Sequence, residues 1–157
     1  MALRVRDSLP VLDGAVRWIN GTVPSENELR GRPVFVHFWS ISCYVCHDVA
    51  TNVARWRTLF APMGLLFVAV HQPRGPEELD VEKVIADATG AMQIAHRAAV
   101  DNDLRIVGRF DNQFVPAYYL FDHEHRLRHF QAGDKGYDRI EAAIERVLAE
   151  VPQTAKA

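Results

Sequence analysis

Cysteine is scarce in this sequence: 157 residues contain two, Cys43 and Cys46. A small domain stapled by several disulfides is therefore excluded. A bond between residues three apart restricts little of the unfolded chain, so the pair is better explained as functional than as structural. Long apolar runs are missing too. Stretches such as Leu65 to Val70 fall far short of the ~20 residues that span a bilayer, so no membrane association is expected. Neither sign of charge dominates, with 18 Lys and Arg against 20 Asp and Glu and a net charge of −2. Nothing in that balance attracts nucleic acid or an anionic membrane surface. Met1 to Asp7 carries charge with no apolar stretch after it, which predicts no signal peptide and a cytoplasmic protein; an extracytoplasmic domain would look the same. Repeats, low-complexity tracts and linkers are absent. With 48% hydrophobic and 24% charged residues, the chain reads as one globular domain over 1–157, expected to be a monomer.

What is present alternates between two periodicities. Ala15 to Ile19, followed by Asn20-Gly21, predicts a small N-terminal hairpin. Pro33 precedes a buried strand at about 34–39, Val-Phe-Val-His-Phe-Trp. From Tyr44 to Phe60, Val45, Val49, Val53, Trp56 and Phe60 recur at three- and four-residue steps, which predicts one helix with a buried face. Leu65 to Val70 is too uniformly apolar for a strand with one face in water. A helix over 77–89 follows, then a short strand at 95–100 and a short helix capped by Asp101-Asn102-Asp103. Strands at 116–121 and 126–132 form a hairpin, and residues 137–150 make a last amphipathic helix. The order implies an α/β fold, a central mixed β-sheet flanked by helices on both faces with the N-terminal hairpin as an extension. In such sheets the reactive crevice lies beyond the carboxyl ends of strands, which is where Cys43 falls.

The stretch from Val34 to His47 is the chemical centre of the chain. A buried strand ends in Ser40-Ile41-Ser42, and Cys43-Tyr44-Val45-Cys46 then opens a helix. Unpaired N–H groups and the helix dipole stabilise an anion there, so Cys43 favours the thiolate, the nucleophilic form. A second thiol within reach equips the pair for reversible disulfide chemistry.

Leu29-Arg30-Gly31-Arg32-Pro33, the Phe-Trp-x-x-x-Cys-x-x-Cys run and Phe114-Val115-Pro116-Ala117-Tyr118-Tyr119-Leu120-Phe121-Asp122 together resemble thioredoxin-like proteins, especially the thiol-disulfide reductases around TlpA. The likeness covers roughly residues 8–150 and implies the thioredoxin fold. It implies Cys43 as the exposed nucleophile and Cys46 as the resolving thiol. Pro116 matches the family's cis-proline, where the backbone of Val115 pairs with a bound peptide, and Trp39 packs beside the cysteines. The implied partners are a disulfide-containing protein substrate and a dithiol electron donor, with no metal or organic cofactor. Two positions depart from the family. His37 stands where many thioredoxins carry a buried acid; it either relays the proton of Cys46 or, the preferred reading, is a neutral core histidine satisfied by a backbone hydrogen bond. Val49 replaces a glutamate common in TlpA-like reductases, which removes that proton route. Tyr44 is expected to be exposed and, with His71 at a strand end, to contact a partner.

Three competing chemistries share these residues. Cys43-x-x-Cys46-His47 matches the c-type haem attachment motif, but the buried strand upstream is wrong for a small cytochrome, and Met1, Met63 and Met92 occupy no obvious ligand loop. A zinc or copper site from Cys43, Cys46 and His47 lacks a fourth ligand with sensible spacing. His47, His123, His125 and His129 are expected mostly at the surface. A peroxiredoxin-like thiol peroxidase is the nearest rival: Ser40 lies three residues before Cys43 as that chemistry requires, yet Val36 replaces the proline seven before it.

Overall fold

A computed structural model describes residues 1–152, so the last five positions of the expected 1–157 domain lie outside the described residues. Six strands form one mixed sheet in the order β1-β4-β3-β2-β5-β6. They are β1 (Arg17–Ile19), β2 (Val34–Trp39), β3 (Leu66–His71), β4 (Arg97–Val100), β5 (Ala117–Phe121) and β6 (Leu127–Ala132). Strands β2, β3 and β4 run parallel, while β1, β5 and β6 pair antiparallel to their neighbours. All residues of β2 and β3 are buried, which accounts for their unbroken apolar character: both faces of the sheet are covered.

The two-residue period of β2 divides its side chains between the faces. Val34, Val36 and Phe38 meet Ile106, Val107 and Phe110 of α5 (Arg105–Phe110) and Leu12 of the N-terminal segment. Phe35 points the opposite way, into Val53, Trp56 and Phe60 of α3 (Ala50–Phe60) and Ile140 and Ile144 of α6 (Tyr137–Ala149). Farther along that face, Trp39 meets Cys46 of α2 (Tyr44–Asp48) and Val84 and Ala88 of α4 (Val81–Thr89). A further short helix, α1 (Glu26–Leu29), precedes β2 and is closed by a Ser25–Glu28 capping box.

Three elements differ from the sequence pattern. The N-terminal run forms no hairpin: Arg17 to Ile19 pair with Val100 to Ala98 as the edge strand β1. Asn20 explains this, because its side-chain amide donates to the carbonyls of Ile94 and His96 (3.1 and 3.0 Å) and fastens the strand end beside β4. The single helix expected over 44–60 is two, since Val49 turns the chain between α2 and α3 with φ −98° and ψ 3°. The helix expected over 77–89 becomes a 3₁₀ turn, Pro76–Leu79, followed by α4. Asp80 divides them by capping Glu82 N–H and Lys83 N–H at 3.0 and 3.4 Å. Asp101 does cap α5 as expected, its carboxylate accepting from the N–H groups of Arg105 and Val107 (3.1 and 2.8 Å).

Candidate active site

Beyond the carboxyl end of β2, Ser40 to Ser42 make the turn into α2, closed by a bond from Cys43 N–H to Ser40 C=O at 3.1 Å. Cys43 is the N-cap of α2, with extended backbone (φ −95°, ψ 104°), and its Sγ accepts the N–H of Cys46 at 3.1 Å. A backbone donor aimed at sulfur at a helix start favours negative charge on that atom. Cys43 and Cys46 are joined by a disulfide, with Cα atoms 5.3 Å apart. Expected to be exposed, Cys43 is in fact 4% accessible, against 0% for Cys46. The bonded partner sulfur and the surrounding apolar cluster cover it. Tyr44, the next residue, is 85% exposed.

Trp39 is fully buried in the same cluster as both cysteines. Its indole N–H donates to Asp87 Oδ2 on α4 at 3.0 Å, and His47 Nε2 meets the same carboxylate at 2.9 Å. Expected at the surface, His47 is instead tethered inward and turned toward α4. Across the site the Val115–Pro116 peptide bond is cis, and Val115 is half-buried against the cluster that holds the cysteines. Phe114 beside it is 60% exposed. Ser40 is buried and donates its hydroxyl to the Gln72 carbonyl at 2.5 Å. Among the described residues, no group of three or more His, Cys, Asp or Glu side chains is placed to hold a metal ion.

No family model matches the chain. It is 39% identical over 148 residues to the thiol-disulfide oxidoreductase YkuV of Bacillus subtilis, covering 94% of this chain and 99% of that protein. The chain belongs to the thioredoxin-like thiol-disulfide oxidoreductases. A solution structure of a thioredoxin-like protein in its oxidised form superposes with a TM-score of 0.83 at 39% identity, over 96% of this chain and 100% of the other. The fold is shared more widely: a thiol-disulfide isomerase from Corynebacterium glutamicum matches with a TM-score of 0.70 at 20% identity, over 90% of this chain and 97% of its own. As an oxidoreductase of this family the chain acts on a protein substrate and exchanges electrons with a redox partner, through the Cys-x-x-Cys pair.

In this oxidoreductase His37 is buried and neutral, but its partner is a side chain rather than the backbone. Arg57 Nη1 donates to His96 Nδ1 (3.1 Å), which leaves His96 Nε2–H to donate to His37 Nε2 (2.8 Å). Burial and the nearby Arg57 charge push His37 down to about 3, which makes it a poor proton acceptor at neutral pH. His71, expected to touch a partner, is completely buried. Its ring lies edge-on to Trp39, with centroids 5.1 Å apart, and its Nε2 accepts the N–H of Ile41 at 3.2 Å. It supports the loop from below and cannot meet a substrate.

Asp87 is the site residue that sequence reasoning missed. An acid next to Ala88, at the edge of the buried face of α4, was its sole local trace. Asp87→Ala leaves the buried indole N–H of Trp39 unpaired and should cost about 1–3 kcal/mol in urea denaturation. Asp87→Asn, which keeps an acceptor, should cost less. A change below about 0.5 kcal/mol for the alanine variant would show that the contact is idle.

Proposed function

We propose that this oxidoreductase is a TlpA-like reductase in which Cys43 attacks and Cys46 resolves. The Cys43 thiolate displaces one sulfur of a substrate disulfide, forming a Cys43–substrate bond while the other sulfur leaves as a thiolate. Cys46 loses its proton and attacks Cys43. The Cys43–Cys46 bond forms, the second substrate sulfur departs reduced, and the substrate gains the two electrons lost by the pair. A dithiol protein then returns two electrons to the disulfide. Tyr44 next to Cys43 and Phe114 next to Val115 are both exposed, and the Val115 backbone ahead of Pro116 offers an edge for an extended peptide.

The observation that carries this assignment of roles is the asymmetry of the two sulfurs. Cys43 Sγ receives a backbone hydrogen bond at the helix start and Cys43 is 4% exposed, while Cys46 Sγ receives none and Cys46 is 0% exposed. Ser40 directs its hydroxyl at Gln72, so nothing comparable favours the peroxidase alternative. Cys46→Ser tests the assignment directly. Mixed with a disulfide-containing protein, this variant should accumulate a dithiothreitol-reversible adduct on Cys43, identified by peptide mass. Failure to form any adduct would contradict the assignment.

A further inference from the structure

Beneath the loop that leads into Cys43, two titratable side chains are buried without full partners: His71 at 0% and Glu78 at 2% exposure. Because Ile41 N–H donates to His71 Nε2, that nitrogen presents a lone pair and the ring proton sits on Nδ1, which has no hydrogen-bond partner. Arg74 Nε and Nη2 both donate to Ser42 Oγ, at 3.1 and 3.0 Å. The Ser42 hydroxyl proton therefore points to Glu78 Oε2, 2.8 Å away. The other carboxylate oxygen, Oε1, lies 3.6 Å from His71 Nε2 and has no hydrogen bond. Two lone-pair atoms thus face each other in a buried site, a costly arrangement that buried polar groups rarely adopt without a functional reason. One added proton turns the contact into a bond.

We propose that the His71–Glu78 dyad takes up one proton when the Cys43–Cys46 disulfide is reduced, balancing the charge of the Cys43 thiolate. The inference rests on the roles given above to the two cysteines. Two electrons from a dithiol donor break the sulfur–sulfur bond, and the donor closes to its own disulfide with release of two protons. Cys46 takes one as its thiol, Cys43 stays a thiolate, and the second proton is held between Glu78 Oε1 and His71 Nε2. Ser42 joins the dyad to Cys43 as its sequence neighbour, and Trp39 joins His71 to the cluster around Cys46. The other charged groups facing the dyad are Arg74, through Ser42, and Asp87 on α4, whose charge favours a proton on His71. Burial acts more strongly the other way and holds His71 down to about 4 in the oxidised protein, so its ring carries no extra proton at neutral pH. His71 and Glu78 are positioning residues here: neither touches the substrate.

The test is exchange with glutathione between about pH 6 and 7.5, where glutathione thiols remain protonated. A protein that gains two protons with its two electrons has a pH-independent exchange constant. One that gains a single proton shows a tenfold rise per pH unit, equal to about 30 mV. The wild type should give a flat profile while thiolate ultraviolet absorbance shows Cys43 ionised. Glu78→Gln should give the tenfold slope, and His71→Gln the same, which serves if the first variant does not fold. A steep wild-type profile, a flat one with Cys43 protonated, or flat profiles in folded variants whose Cys43 is ionised would overturn the proposal. Absence of any exchange would instead contradict the cysteine roles on which it rests, and the proposal with them.

Discussion

Cys43→Ser should reduce insulin-disulfide reduction to the uncatalysed background, a loss of ~10³-fold or more, the order found when a nucleophile that acts as part of a unit is removed. Serine keeps an N-cap oxygen for the Cys46 N–H, so α2 should survive the change. What disappears is the nucleophilic sulfur at the start of α2. Cys46 cannot substitute, because it is 0% exposed and a protein disulfide has no path to it. Insulin turbidity with dithiothreitol as donor reads the loss, and circular dichroism confirms the fold. Undiminished activity in this variant would remove Cys43 from the reaction.

A comparably large effect is expected from mild acid. His37, His71 and His96 are all held below the ordinary histidine value by burial, with Arg57 adding to the effect at His37 and His96. Burial pushes His37 down to about 3 and His71 down to about 4, against 6.5 for a free imidazole. Unfolding exposes these rings, and between these values the unfolded chain binds protons that the folded protein refuses. Stability is therefore complete above about pH 6.5 and is lost as pH falls toward the folded values. Each such proton contributes about 1.4 kcal/mol per pH unit, so His37 and His71 together give ~3 kcal/mol per unit near pH 5, with His96 acting in the same direction. Typical domains have about 5–15 kcal/mol in all. The oxidised protein should thus unfold in urea at much lower concentration at pH 5 than at pH 7. Replacing His37 by a residue that cannot titrate should reduce the slope by one proton's worth. Equal stability at the two pH values would contradict the burial of these rings.

Local pattern made the centre of the molecule readable and left its supports hidden. β2, the turn at Ser40 to Ser42 and the helix start at Cys43 are consecutive, so periodicity and one motif located them without knowledge of the fold. The mixed sheet with helices on both faces followed from the alternation of strands and helices. The surroundings of the cysteines come instead from distant segments. Asp87 reaches Trp39 across 48 positions, His96 reaches His37 across 59, and Glu78 reaches Ser42 across 36. No spacing rule encodes such pairs, because each depends on two elements being docked first. The role of Asn20 was hidden for the same reason: Asn20-Gly21 reads as a hairpin turn until the carbonyls of Ile94 and His96 are brought beside it. His71 misled for a different reason. A histidine at a strand end in the crevice suggests contact with a partner, but the loop above it closes over the ring and takes its nitrogen for Ile41.

The central claim is that Cys43 and Cys46 form one reversible two-electron couple. It is tested most directly by equilibrating the protein across glutathione buffers, trapping with an alkylating reagent and counting modified cysteines by mass. The account predicts a single transition governed by the square of reduced glutathione over oxidised glutathione, in which molecules carry either no added alkyl group or two. Cysteines that modify independently, each ending as a stable glutathione adduct, would contradict it.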